Sequence, residues 1–190
     1  DLLRTWLPPS FPVGAFAYSH GLESAVARGL VSTAADLGDW LAALADHGSL
    51  GNDLILLAAA WRAAVAGDDR QVAELNSIAV AVQPSAERHL ETTQQGGSFA
   101  ATIAAAWPCE AIDRLRERDR PIAYPVAVGV AAAGHGVPLA EVLSGFAVGF
   151  VMNLVSAAIR LSVIGQTDGQ RVIAHLMPAL TRVAERAQAQ

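Results

Sequence analysis

The chain has 190 residues, of which 53% are hydrophobic and 16% charged, and its formal net charge is −5. This size corresponds to one domain, or two at most, and the apolar composition predicts a large core. The acidic balance excludes the basic surface of a nucleic-acid-binding protein, and the single cysteine, Cys109, excludes a disulfide within the chain.

The first predicted element is a turn. Three prolines within residues 8–12 exclude a regular helix, because proline fixes φ and lacks a backbone donor. Phe11, Phe16 and Tyr18 accompany them. The turn is either a docking surface for a partner or a hydrophobic plug that seals one end of a helical bundle. Local chemistry alone favours the plug, because most aromatic side chains serve packing.

Helices follow the turn. A short one is predicted over residues 23–28, capped by Ser19 or Ser24, and a clearer one begins at Thr33. Glycines 48 and 51 interrupt the pattern before the next helix, and Asp68 caps a further helix that Pro84 ends. Apolar residues recur there at spacings of three and four, at Leu37, Trp40, Leu41 and Leu44, then at Leu54, Leu57, Ala58 and Trp61, and at Val72, Leu75, Ala79 and Val82.

Residues 85–107 predict a longer helix with a soft middle at Gly96-Gly97 and a first half that is polar on most faces. Four arginines between residues 114 and 120 alternate with acidic and other residues, which predicts a solvated surface that includes Asp119 and Arg120. Residues 126–133 predict a short apolar helix. No stretch alternates with a period of two, so no strand is expected.

The most apolar part of the chain covers residues 142–161. Eighteen uncharged residues separate Glu141 from Arg160, a length that would cross a membrane. The alternative, a central helix buried on all sides, is favoured because polar residues dilute the run and no basic cluster flanks it. Gly145 and Gly149 would permit close helix approach.

A final helix follows Gly165. Thr167 and Gln170 fit a capping box at its start, and its inner stripe is formed by Val172, Leu176, Leu180 and Val183. Together the patterns predict an all-α fold, a single domain over residues 1–190. We expect roughly eight to ten helices around the buried apolar helix of residues 142–161.

Motifs for catalysis or metal binding are missing from the sequence. The chain has no lysine and no phosphate-binding loop, and its five histidines are scattered, so we expect no local metal site. A site assembled by folding or at a dimer axis stays open. Single carboxylates such as Glu23, Glu91 and Glu141 are expected to be solvated or to cap helices. Arg160 is either part of a buried ion pair or a partner contact.

Three segments carry a family resemblance. Residues 12–23, Pro-Val-Gly-Ala-Phe-Ala-Tyr-Ser-His-Gly-Leu-Glu, resemble the N-terminal signature of the UreF family of urease accessory proteins, with Ala15 and Ala17 replacing the usual glycine and serine. Residues 153–161 and 165–170 resemble its C-terminal signature. A weaker middle element covers residues 91–96. The three elements stand in the family's order along nearly the whole chain.

The resemblance implies a non-enzymatic urease maturation factor. Such proteins act with a UreD-type (UreH-type) scaffold and the GTPase UreG to deliver nickel into the urease apoenzyme, and they are proposed to modulate the GTPase cycle of UreG. We therefore expect a cytoplasmic chain that is a homodimer within the complex, binds no nickel cofactor as an isolated monomer, and has no nucleic-acid or membrane partner. The candidate partner-binding residues are Phe16, Tyr18, Glu23, Arg160 and Gln166. The alternative is an α-helical enzyme whose site is assembled from distant residues.

Overall fold

All regular elements in the described part of the chain are helical, in agreement with the predicted all-α fold. The computed structural model describes residues 2–118 and 121–190, so Asp119 and Arg120 of the predicted solvated stretch lie outside the described residues. Within these ranges there is no strand. A 3₁₀ turn covers Ala15–Ala17, and the ten α-helices are α1 Leu2–Trp6, α2 Leu22–Ala27, α3 Ala34–His47, α4 Ser49–Val65, α5 Asp69–Ala81, α6 Ala86–Ala106, α7 Glu110–Arg118, α8 Tyr124–Gly134, α9 Leu139–Arg160 and α10 Gln166–Ala189.

Helix α9 is the predicted apolar helix. By length and composition it could cross a membrane, yet 56% of its most apolar window is buried within the protein, where α9 packs against α10, α4 and α3. One correction is needed, because Glu141, Ser144 and Arg160 are exposed and α9 is therefore not buried on all sides. The buried share supports a core helix with one exposed side.

Helix α8 is the more enclosed of the two apolar helices. All eight residues of 125–132 are buried, and α8 packs against α4, α6 and α7. Its neighbours approach closely because the contact residues are small: a Cβ added to Gly129 would lie 2.6 Å from the carbonyl oxygen of Leu57 on α4. The core therefore centres on the α4–α8 contact, with α9 and α10 packed beside it.

Helix α6 runs without a break from Ala86 to Ala106, so the predicted soft middle is wrong. Gly96 is there for a close approach: a Cβ at this position would lie 2.1 Å from the carbonyl oxygen of Ile122, which precedes α8. Gly97 has nothing within 4 Å of a Cβ. The first half of α6 is also less exposed than its polar composition indicates, because Glu91 and Gln95 are buried.

Four helix N-caps were predicted from the sequence, and the structure confirms two of them. Thr33 forms a full capping box with Asp36, and Asp68 accepts a hydrogen bond from the backbone of its helix, as predicted. Gly165 precedes α10 without a side-chain cap, so the predicted capping box at Thr167 is wrong. Gly21 is likewise the cap of α2, although the Ser19 hydroxyl accepts the amide of Glu23 at 3.4 Å.

The N-terminal segment crosses α6 and α9. Trp6 and Phe11 are buried against Phe99 of α6, at ring-centroid distances of 6.1 and 5.4 Å. Gly149 of α9 allows the segment to lie directly on that helix, because a Cβ there would be 2.8 Å from the carbonyl oxygen of Leu7. The first half of the segment therefore seals the core, as the plug interpretation predicts, and the next residues leave it.

Candidate partner-binding site

Residues 11–21, named here the aromatic turn, are fixed to α9 through their backbone carbonyl groups. The Asn153 side chain donates from Nδ2 to the carbonyl oxygens of Ala15 at 2.9 Å and Tyr18 at 3.3 Å. Arg160 donates from Nη2 to the carbonyl oxygen of Phe16 at 2.8 Å. Two side chains of α9, almost two turns apart, thus determine where the aromatic turn lies.

The side chains of the turn divide into buried and exposed sets. Phe11 and Val13 are buried, whereas the Phe16 side chain is 65% exposed. Tyr18 is half-buried, and its hydroxyl donates to Oε1 of Gln94 on α6 at 2.5 Å. Burial and the nearby Glu91 and Glu87 carboxylates raise the pKa of Tyr18, so the hydroxyl stays a donor at neutral pH. The buried residues of the turn therefore agree with the plug interpretation, and Phe16 is the aromatic side chain that remains exposed for the docking interpretation.

The five candidate residues do not form one cluster. Arg160 contacts the backbone of Phe16, and Tyr18 lies two residues further along the same turn. Glu23 and Gln166 are exposed at the starts of α2 and α10, and within the described part of the chain neither makes a side-chain hydrogen bond to the other three. Arg160 is itself exposed and bonded to a carbonyl group, which corrects the interpretation as a buried ion pair.

A cavity of about 50 Å³ with a mixed apolar and polar lining lies beneath the aromatic turn. Its walls come from the N-terminal segment, α4, α6, α8 and α9, and it has room for a few water molecules. Its polar lining includes a set of side chains that we name the buried cluster: His20, Asp53, Arg88, Glu91 and Gln95.

The buried cluster is organised around Arg88. Its guanidinium group bonds to Glu91 through Nη1 and lies 3.3 Å from Oδ2 of Asp53 through Nη2. His20 Nε2 lies 3.0 Å from Oε1 of Glu91, and the same oxygen accepts a hydrogen bond from Gln95 at 3.1 Å. One cation thus joins two carboxylates from different helices, and the aromatic turn contributes the histidine.

The two carboxylates of the cluster have opposite pKa shifts. Burial raises the pKa of Asp53 to about 7, against the opposing charge of Arg88 and with a smaller contribution from Glu91. Burial acts on Glu91 in the same direction, but hydrogen bonding and charge from His20 and Arg88 outweigh it and lower the pKa of Glu91. Near neutral pH, Glu91 is therefore the ionised partner and Asp53 is the group that titrates.

Sequence reasoning missed this cluster. Glu91 was expected to be solvated or a cap, yet it is only 4% exposed and ion-paired, so that expectation is wrong. Two signals were available: Asp53 is an acidic residue directly before the apolar stretch of residues 54–60 in α4, and Arg88 and Glu91 are three residues apart on one helix face. Nothing in the sequence indicated that these residues meet, because they come from two helices and a turn.

Metal-binding groups are not assembled in the described part of the chain. Among residues 2–118 and 121–190, no three histidine, cysteine or acidic side chains are placed to hold a metal ion. In the buried cluster the guanidinium of Arg88 stands between the carboxylates. Cys109 is half-buried, and burial raises the pKa of its thiol, which disfavours the thiolate that metals and electrophiles require.

The fold and the site define an all-helical protein that exposes a tethered aromatic turn above an ion-paired cavity. The sequence profile of the UreF family matches residues 31–177. The chain is 48% identical over 184 residues to a urease accessory protein UreF of Methylorubrum populi, covering 96% of this chain and 82% of the relative. It is 49% identical over 188 residues to one of Methylobacterium radiotolerans, covering 98% and 82%. The chain therefore belongs to the UreF family of urease accessory proteins.

The relatives also cover the aromatic turn, which precedes the profile match. A urease accessory protein UreF 1 of Brucella canis is 51% identical over 185 residues, covering 97% of this chain and 78% of the relative. These results confirm the resemblance drawn from residues 12–23 and 153–170. They also agree with the expectation that the chain is an accessory protein and not itself an enzyme.

Proposed function

We propose that this chain is a urease maturation factor that works in a complex with a UreD-type or UreH-type scaffold, the GTPase UreG and the urease apoenzyme. In that complex it helps to insert nickel into the urease metallocentre and modulates the GTPase cycle of UreG. The support is the name of its relatives, urease accessory protein UreF, and one observation: Phe16 is 65% exposed although its backbone is fixed by Arg160.

The geometry of the turn suits recognition. A large aromatic side chain held out from the surface loses little entropy on binding when its backbone is already ordered. Asn153 and Arg160 supply that order through three hydrogen bonds. Leu161, which follows Arg160, is 36% exposed and adds apolar area at the same helix end. Aromatic residues of this kind are frequent among the dominant contacts of interfaces.

We assign the handling of nickel and of nucleotide to the complex and not to this chain alone. The chain has no lysine, so a phosphate-binding loop of the usual kind is excluded and nucleotide hydrolysis falls to UreG. The isolated monomer is expected to bind neither nickel nor GTP tightly, since no group of three metal ligands occurs in the described ranges. We further propose that the chain is a homodimer in the complex and is cytoplasmic.

Co-purification followed by activation tests this function. The tagged chain is expressed with UreD, UreG and apo-urease, the complex is isolated, and urease activity is measured after addition of nickel and bicarbonate. We expect all partners to co-purify and urease to become active only with the chain present. Failure of the wild-type chain to recruit any partner, or full activation without it, contradicts the proposal.

Phe16→Ala locates the interface. It should reduce recovery of the complex by at least about tenfold, the effect of losing one dominant interface side chain. The matched control is Val65→Ala, because Val65 is 60% exposed at the end of α4 and lies outside both family signatures. Equal recovery with both variants would remove the aromatic turn from the interface.

A further inference from the structure

His20 is the point where the aromatic turn meets the buried cluster. Its φ is +51°, and within the described ranges only one other non-glycine residue, Ser162, has a positive φ. Such a backbone is unfavourable for a residue with a Cβ, so it persists only where other contacts hold it. Those contacts are the 3.0 Å approach of Nε2 to Glu91, a 3.4 Å approach of the same nitrogen to Nη1 of Arg88, and an edge-to-face contact with the Phe150 ring at 4.6 Å.

The imidazole is also well enclosed, since the side chain of His20 is 7% exposed. It bridges two helices, reaching Glu91 on α6 and Phe150 on α9. We name these two contacts the His20 latch. Because His20 lies two residues after Tyr18 and four after Phe16, opening of the latch would remove one attachment of this end of the turn and leave it held by the hydrogen bonds to Asn153, Arg160 and Gln94.

The charges around the latch balance only when one proton is bound. Two carboxylates, Asp53 and Glu91, face one guanidinium, Arg88. With both carboxylates ionised, Asp53, Glu91 and Arg88 together carry one net negative charge beneath the turn, and a single proton on Asp53 removes it. Apart from His20, the other titratable group in the cavity lining is Tyr124 of α8, whose pKa is raised by burial, and α9 contributes only Phe146, Gly149, Phe150 and Asn153.

We propose that His20 is a positioning residue, and that its latch onto Glu91 holds the aromatic turn closed most firmly when the buried cluster carries this one proton. The inference rests on the proposed function in one respect: that the turn presents Phe16 and Tyr18 to a partner. A latch that weakens on loss of a proton makes the order of that surface depend on pH.

The direction and the pH range follow from Asp53. Its pKa is about 7 in the closed arrangement, and exposure to water on opening brings it towards the ordinary value near 4. The closed form therefore holds more protons between these two values, and opening becomes easier as pH rises from about 4 to 7 and then levels off.

Hydrogen exchange of the turn tests the latch in the full-length isolated protein. The amides of Ala17 and Tyr18 donate to the carbonyl oxygens of Gly14 and Ala15, both at 3.1 Å, so their protection reports an ordered turn. Protection factors, corrected for the intrinsic pH dependence of exchange, are measured at pH 5 and pH 7.5. We expect protection in the turn to fall by at least about tenfold, since one linked proton changes opening by up to tenfold per pH unit. Amides of α10 should change little.

Asp53→Asn tests whether the pH dependence comes from Asp53, because asparagine is similar in shape to the protonated carboxyl group and cannot ionise. We expect its turn to stay protected at pH 7.5, with less than about threefold change across the range. The matched control is Asp46→Asn on α3, where the exposed aspartate pairs with Arg186 of α10 and does not line the cavity. Asp46→Asn should keep the wild-type pH dependence. A pH-independent wild type, or an Asp53→Asn protein that retains the tenfold change, overturns the proton-linked latch.

His20→Asn tests the latch even if Asp53→Asn does not fold. Asparagine tolerates positive φ but is too short to reach Glu91 as histidine does, so it removes the latch without adding backbone strain. We expect turn amides to lose protection at both pH values while those of α6 and α9 keep it. Unchanged turn protection in His20→Asn contradicts the proposal. These readouts need no partner, so they are independent of whether the wild-type chain activates urease.

Discussion

Arg160 fixes Phe16 without touching its ring. The guanidinium donates to the Phe16 carbonyl oxygen at 2.8 Å across 144 positions of sequence, while the aromatic side chain stays exposed. The end of α9 and the exposed face of the turn are therefore one structural unit. This joins the two sequence signatures of the family, which lie near opposite ends of the chain.

Arg160→Ala should impair assembly more than stability. One surface hydrogen bond is lost, so the free energy of unfolding should fall by no more than about 1 kcal/mol, while the freed turn must be ordered again on binding. Urea denaturation followed by circular dichroism gives the first quantity, and recovery of the UreD complex gives the second. Arg182→Ala on α10, also an exposed arginine, is the control and should affect neither. Normal recovery with Arg160→Ala would contradict the role of this contact.

Tyr18 and Gln94 should be energetically coupled. Their side chains share a 2.5 Å hydrogen bond, so Tyr18→Phe and Gln94→Ala each remove the same interaction. We expect each single variant to lose about 1 kcal/mol or less, and the double variant to lose clearly less than the sum of the two. The double-mutant cycle is measured by urea denaturation. Strict additivity would show that the bond contributes nothing to stability.

Tyr18→Ala separates folding from recognition. It removes the half-buried ring as well as the hydroxyl, and we expect the isolated protein to remain folded while complex formation or urease activation declines. Tyr18→Phe is the matched control and should leave assembly intact if the ring carries the contact. A folded Tyr18→Ala protein that activates urease at the wild-type rate would contradict a role of Tyr18 in recognition and would leave only its role in packing.

Replacing the neighbouring glycines of α6 by alanine should change the stability of the protein in opposite directions. In Gly96→Ala the new methyl group would lie 2.1 Å from the Ile122 carbonyl oxygen and 2.7 Å from two further backbone atoms, so we expect a loss of about 3 kcal/mol or more. In Gly97→Ala nothing lies within 4 Å, and the lower entropy of the unfolded chain should raise stability by about 0.5–1 kcal/mol. Thermal and urea denaturation of both variants give the comparison. Equal effects would show that α6 does not meet the loop before α8 at this point.

Asp53→Asn should stabilise the protein more at pH 7.5 than at pH 4.5. The pKa of Asp53 is raised in the folded state, so the wild type loses stability as pH rises from the unfolded value near 4 to about 7. Asparagine does not titrate, and the difference between variant and wild type should therefore shift in favour of the variant by more than about 1 kcal/mol. Free energies of unfolding at the two pH values decide this. A constant difference would show that Asp53 does not titrate in this range.

The sequence correctly predicted structural features that depend on residues close together along the chain. The capping box at Thr33 and the buried stripe of α10 were confirmed, because caps and helix faces are determined within a few positions. The role of Gly96 and the meeting of His20 with Glu91 were not predicted, since each depends on which segments fold against each other. Two of the five candidate residues, Phe16 and Arg160, are in contact, which was not predicted from the sequence because they lie 144 positions apart.

The enclosure of α8 has a consequence for synthesis of the chain. Its buried face completes a surface formed by α4 and α6, which leave the ribosome before residues 124–134 do. Until α8 arrives, the apolar sides of those earlier helices have no cover, and exposed surface of this kind drives aggregation. A nascent chain stalled before α8 has emerged should therefore need a holding chaperone, and this need should fall as α8, and then α9 and α10, which also pack on α4, leave the ribosome.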